Sequence, residues 1–129
     1  GSWRNNKKLR VNQDLENLIL IDNYPKPRGI AKKIVTELPC ANYIECGSIG
    51  LKICKVAEGS AHLFVKNVIV RDWDLAPGDL ILREAGGCLR DLNSNVFVYE
   101  GTMEKRDGLV ASCSKIVNAN VCNYMLKES

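Results

Sequence analysis

The order of apolar periods along this sequence predicts an α/β domain, a layered sheet with flanking helices. Two observations carry that prediction. Continuous apolar runs of strand length, such as Leu18-Ile19-Leu20-Ile21 and Gly108 to Ser112, alternate with segments whose apolar residues recur every three or four positions. Clusters of Gly, Pro and Asn punctuate the joins between them. The 129 residues leave room for one core and little for a second.

Residues 1–16 read as a lead-in, with Gly1-Ser2 resembling a tag remnant and Trp3 to Lys8 polar enough to be a frayed end or a cut through a longer polypeptide. Residues 17–129 read as the domain proper. Its first strand is Leu18 to Ile21, and the two prolines and the glycine of Asp22 to Gly29 make the next stretch a loop. That loop carries Lys26 and Arg28, which are either solvated or, at the end of a strand, placed to meet an anion. Ile30, Ile34 and Leu38 mark a helix closed by Pro39.

A second unit repeats the order. Asn42 to Cys46 is a short strand, Gly47-Ser48 a turn, and Ile49, Ile53, Val56 and Ala57 the apolar face of a helix that Ser48 caps and Gly59 ends. A strand at Ala61 to Val65 and a connection through Val68-Ile69-Val70 lead to the most strongly patterned helix. There Leu75, Gly78, Leu82 and Ala85 share one stripe, with Ile81 beside it, and Gly86-Gly87 supplies the stop. Pro77 belongs in a first turn, where its missing N–H has no partner to lose, so the helix is expected to start near Trp73 or Asp74.

Short strands are expected at Cys88 to Asp91 and Val96 to Tyr99, joined by a hairpin turn at Asn93-Ser94-Asn95. A polar loop at Met103 to Asp107 precedes the strand Gly108 to Ser112. Ser114 then caps a final helix with the face Val117, Val121 and Tyr124.

Composition excludes several function classes. The net charge is +3 and adjacent lysines occur only at 7–8 and 32–33, with no aromatic residues interleaved, so no nucleic-acid polymer is expected as a partner. No apolar run approaches the roughly 18 residues that span a bilayer, so no membrane partner is expected and no signal peptide is read. The six cysteines form no C-x-x-C pair and His62 is the single histidine, which leaves zinc without support. Most of the thiols sit among apolar neighbours as small hydrophobes, and a reduced, cytoplasmic chain is expected.

Two helix starts carry the chemistry. Asp74 falls at the positive end of its helix, where unpaired amides and the dipole keep a carboxylate ionised; a divalent-cation ligand needs that, and so does an ordinary cap. In Gly47 to Lys52 the odd residue is Lys52, a cation in a first turn on the border of the apolar stripe. A phosphate held by helix-start amides, the Ser48 hydroxyl and this ammonium would resolve both costs, and a snorkelling lysine is the alternative. His62 reads as a strand residue at a sheet edge without a role. Asp72 and Asp79 are exposed-face candidates and Glu84 precedes the glycines, and each of the three reads by default as a solvated or structural carboxylate.

Trp73 to Gly87, W-D-L-A-P-G-D-L-I-L-R-E-A-G-G, resembles the second signature of the inositol monophosphatase family of metal-dependent phosphatases, usually W-D-x-A-[AP]-[GA] followed by E-A-G-G. The resemblance runs from about Ile44 to Ser112 and implies the carboxy-terminal lobe of a sugar-phosphatase-type fold, with Asp74 as a ligand of catalytic Mg²⁺. His62 stands where the family commonly shows aspartate. G-S-I-G-L-K is similar to the 3'(2'),5'-bisphosphate nucleotidase branch, which implies that Gly47, Ser48 and Lys52 contact substrate. The upstream G-E/E and D-P-[IL]-D-G-T motifs that supply most of the family's metal ligands are not in this sequence.

The resemblance therefore implies half of a Mg²⁺-dependent phosphomonoesterase for a small phosphorylated substrate of the 3'-phosphoadenosine 5'-phosphate type. It also implies an amino-terminal lobe as partner, possible homodimerisation of the parent, and no turnover by this stretch alone. An inositol monophosphatase-type activity and a non-catalytic phosphate-binding domain are the alternatives.

Overall fold

Strands in this protein form where apolar runs can be buried on both faces, and helices where one stripe can be. The computed structural model describes residues 3–4, 7–14, 18–27, 29–37, 40–67, 70–97, 99, 104–105 and 108–128, with the side chains at 3–8, 35–37, 40–41, 72–74, 104–105 and 124–128 outside the description. Its strands are β1 (Trp3–Arg4), β2 (Lys7–Lys8), β3 (Leu18–Asp22), β4 (Cys40–Glu45), β5 (Leu63–Lys66), β6 (Val70–Arg71), β7 (Cys88–Arg90), β8 (Glu104–Lys105) and β9 (Leu109–Ser112). Its helices are α1 (Ile30–Glu37), α2 (Ile49–Ala57), α3 (Asp72–Glu84) and α4 (Lys115–Glu128).

Five strands make one mixed sheet in the order β4-β3-β5-β9-β7. β3 runs parallel to β4 and β5, while β9 is antiparallel to both β5 and β7. The crossovers β3-α1-β4 and β4-α2-β5 step in opposite directions along the sheet, so right-handed connections place α1 and α2 on opposite faces. Phe64 pairs with Ala111, one residue from Ser112. Lys52 of α2 reaches Phe64, whereas Asn118 of α4 bonds Ser112, so strand alternation puts α4 on the face opposite α2. The result is the α/β layering expected from the sequence.

The stripes close the core as the periodicity predicts. Leu75, Gly78, Leu82 and Ala85 of the α3 segment are buried, as are Ile53, Val56 and Ala57 of α2 and Val117 and Val121 of α4. Gly78 marks the closest approach of the two helices: a Cβ there would stand 3.1 Å from Ile53 Cγ2. The lead-in joins this core as well. Val11 is buried and donates its N–H to Ala85 O at 3.1 Å, and Asn12 Nδ2 donates to Gly59 O.

Several local expectations are corrected. α3 begins at Asp72, so Pro77 is its sixth residue and lies in the second turn, where it forfeits one intrahelical hydrogen bond. His62 sits at no edge: it precedes β5, the central strand, and is buried. Its Nδ1 accepts from Ile19 N at 2.9 Å while the Nε2–H donates to Asp14 O, so the ring pins the lead-in to β3. No strand forms at Val96, Phe97 or Tyr99, although the turn before them does. Asp91 Oδ1 accepts from the N–H groups of Asn93 and Asn95, and Ser94 adopts φ 67°. Beyond that turn Tyr99 donates its hydroxyl to Asp79 Oδ2 at 2.6 Å, which draws the segment toward α3 and away from the β7 ladder. Tyr124 and Leu38, named for helix faces, and the connection at 68–69 lie outside the described residues and side chains.

Asn118 joins α4 to the sheet, its Nδ2 facing Val110 O at 2.9 Å, Ser112 Oγ at 3.1 Å and Cys88 O at 3.3 Å. Asn118→Asp turns that donor into an acceptor against three oxygens. The expected loss is roughly 2–4 kcal/mol of stability, read from a urea melt, while an unchanged midpoint would mean that α4 is held by apolar packing alone.

Candidate active site at the strand ends

Parallel strands present the loops at their carboxyl ends to ligands, and three such ends meet here. β3 finishes at Asp22, β4 leads through Cys46 and Gly47 into the start of α2, and β5 finishes at Lys66. Cys46 N donates to Asp22 O at 2.8 Å, which ties the first two ends together.

Ser48 caps α2 as its sequence position predicts, its Oγ accepting from Leu51 N at 3.1 Å. Gly47 and Ser48 are exposed. Lys52 is not: only 3% of its surface is accessible, and its Nζ lies 4.8 Å from the centroid of the Phe64 ring. Burial pushes the Lys52 ammonium below its ordinary pKa of 10.5; the negative charge of Asp22 opposes that shift and the ammonium of Lys66 adds to it. The sequence places Lys52 at the edge of the apolar stripe, and the fold carries it inward onto an aromatic face, where a cation–π contact replaces part of its lost hydration.

Asp22 and Lys66 are the residues that sequence reading missed. Asp22 is 1% exposed. Its Oδ1 accepts from Lys66 Nζ at 3.1 Å and from Asn23 N at 2.8 Å, whereas its Oδ2 is buried with no hydrogen-bond partner. Lys66 Nζ also donates to Asn23 Oδ1 at 3.0 Å and stands 4.6 Å from the Tyr24 ring centroid. Tyr43 buttresses the loop by donating to Tyr24 O at 2.7 Å, and burial followed by the charge of Asp22 raises its phenol pKa. The available signal was positional: each residue closes an apolar run, as the last residue of a parallel strand does.

Asp74 is the third residue of α3 and so belongs to its first turn, at the same end of the sheet; its side chain, and that of Asp72, lie outside the described residues. Asp79 is not on an exposed face, and of the solvated and structural readings of it the structural one holds. It is buried, with Tyr99 on Oδ2 and Arg83 Nε 3.3 Å from Oδ1. Glu84 is exposed, as is Lys26, and Arg28 is outside the description. No group of three His, Cys, Asp or Glu side chains able to hold a metal occurs among the described residues. A lone Asp74 does not meet the octahedral demand of Mg²⁺, so the residues present do not by themselves fit a magnesium centre.

The inositol monophosphatase family model matches residues 1–127. This chain belongs to the inositol monophosphatase family. It is 36% identical over 101 residues to the Nus factor SuhB of Pasteurella multocida, covering 72% of this chain and 38% of that protein. It is 27% identical over 116 residues to the fructose-1,6-bisphosphatase/inositol-1-monophosphatase of Methanocaldococcus jannaschii, covering 89% and 45%. The inositol monophosphatase structure from Anabaena superposes with a TM-score of 0.72 at 20% identity over 97% of this chain and 50% of that one, a likeness of fold. The chain spans about half the length, or less, of the curated relatives it matches. Among the described residues no helix is long and apolar enough to cross a membrane, and Cys46, Cys54, Cys88, Cys113 and Cys122 are free thiols.

The lowered pKa of Lys52 gives a pH test. Between that lowered value and the ordinary 10.5 the unfolded chain holds more protons than the folded one, so stability rises with pH across this window. Lys52→Met removes the buried charge. The variant is expected to melt above the parent at neutral pH, with the gap narrowing toward pH 10; a gap constant with pH would mean that Lys52 titrates normally.

Proposed function

We propose that this domain supplies the substrate-side half of a Mg²⁺-dependent phosphomonoesterase acting on an inositol-type polyol phosphate. One observation carries the reading: the W-D helix start, the capped start of α2 and the charged ends of β3 and β5 converge on one end of the sheet in a chain of this family. The remaining metal ligands belong to an upstream half that carries the two motifs missing here. A metal held jointly by Asp74 and that upstream half would supply charge neutralisation and a nucleophilic water. This chain supplies orientation and charge: Ser48 and the first amides of α2 offer donors to an anion, and Lys66 offers an ammonium held in place by Asp22 and Asn23.

The polyol substrate is favoured over a 3'(2'),5'-bisphosphate nucleotide by the name of the archaeal relative and by Lys52. The nucleotidase reading needs Lys52 to meet a second phosphate. Its ammonium instead rests on Phe64 inside the core, near the charge of Asp22.

The test is phosphate release by a chain extended through the upstream half, compared with these 129 residues alone. Release is expected from the extended chain with Mg²⁺ and not from this stretch, with a higher kcat/KM on inositol 1-phosphate than on 3'-phosphoadenosine 5'-phosphate. Asp74→Asn keeps the size and polarity of the side chain but loses the charge, so turnover should fall by at least about a hundredfold with an unchanged melt. Near-normal turnover in that variant would remove Asp74 from the metal site.

A further inference from the structure

α3 has a second functional end. Asp74 stands at one end and Arg83 nine residues on, about 14 Å along the axis at 1.5 Å per residue. Around Arg83, beyond β9 and along the open edge of β7, lies a cleft of about 340 Å³. That volume is at the lower end of the roughly 300–1,000 Å³ typical of small-molecule sites.

The walls are uneven in charge. Arg83, Arg90 and Lys115 bring three cations from α3, β7 and the start of α4, and Asp79 is the single acid among the described lining residues. Asp79 is 5% exposed and committed inward: Tyr99 donates to its Oδ2 and Arg83 pairs with its Oδ1, although that oxygen receives no aligned hydrogen bond. Arg83 and Tyr99 are thus held to the wall by the carboxylate. Arg90 and Lys115 have no carboxylate partner among the described residues. Phe97 and Val96, left off the sheet by the turn at Asn93 to Asn95, add an apolar wall.

We propose that this cleft is a second ligand site, separate from the strand-end site, and that it binds a nucleoside monophosphate. Arg90, whose side chain also hydrogen-bonds Cys88, and Lys115 match the two charges of a phosphate monoester, with the Arg90 guanidinium able to bind it through two parallel hydrogen bonds. Lys115 is also the first residue of α4, so the positive end of that helix dipole lies beside it. A planar base lies against Phe97, where stacking tolerates any base. Inorganic phosphate would leave most of the cleft and its aromatic wall unused.

Isothermal titration of the 129-residue chain with AMP, adenosine and inorganic phosphate tests this. AMP is expected to bind more tightly than either of its parts. Arg90→Met and Lys115→Met should each weaken AMP by at least roughly ten- to a hundredfold, the loss of at least one charge-assisted hydrogen bond, with thermal melts confirming the fold. Phe97→Ala should weaken AMP and leave phosphate unaffected. Phosphate binding as tightly as AMP, no AMP binding at all, or AMP binding lost in Lys52→Met and kept in Arg90→Met would each overturn the proposal.

Discussion

Everything at the strand ends depends on how closely α2 approaches α3. Gly78 meets Ile53 with no side chain between, and a Cβ at that position would already press on three carbons of the isoleucine. That contact lays two helices side by side on one face of the sheet, so that both begin at the end where β3, β4 and β5 finish. Interiors packed at crystal density transmit such a contact over the full length of both helices. The helix starts at Ser48 and Asp74 are brought to one place by a glycine that is part of neither.

The charges at this end are held under unequal terms. Asp22 has lost almost all contact with water, and one ammonium and one backbone amide donate to the same oxygen of it. A buried pair of this kind contributes little net stability, because desolvation consumes most of the attraction; removing one partner is what costs. Its effect is positional. Lys66, which could sample many rotamers, is fixed between two oxygens and an aromatic face. Lys52 is the contrasting case, a cation buried on a ring, and that burial lowers its pKa.

Asp79 shows the same device turned to a different purpose. Its carboxylate anchors Arg83 four residues on and Tyr99 from a distant loop, and in doing so it pulls the segment after Asn95 off the sheet. A strand lost from the β7 edge opens a cleft lined by cations. α3 therefore presents a helix start to one end of the molecule and an anchored guanidinium to the other.

Local physics was legible in the sequence. The stripe Leu75, Gly78, Leu82, Ala85 is buried as its spacing requires, Ser48 and Ser114 cap the helices they precede, and the apolar run Leu109 to Ser112 is wholly interior. Each of these depends on residues within four positions of one another, where chain connectivity alone fixes geometry. The pairing of Lys66 with Asp22 spans 44 residues, that of Tyr99 with Asp79 spans 20, and the seating of His62 against Ile19 spans 43. No period in the sequence encodes them, because each follows from strand order: β5 sits beside β3, and β9 separates it from β7. The sequence by itself determined, among the described residues, the four helices, the five strands of the main sheet, and which helix starts carry a carboxylate or an anion-ready cap. Only the tertiary structure decided which charges are buried and what holds them, since burial is a property of neighbours that meet after the chain has crossed from one strand to the next.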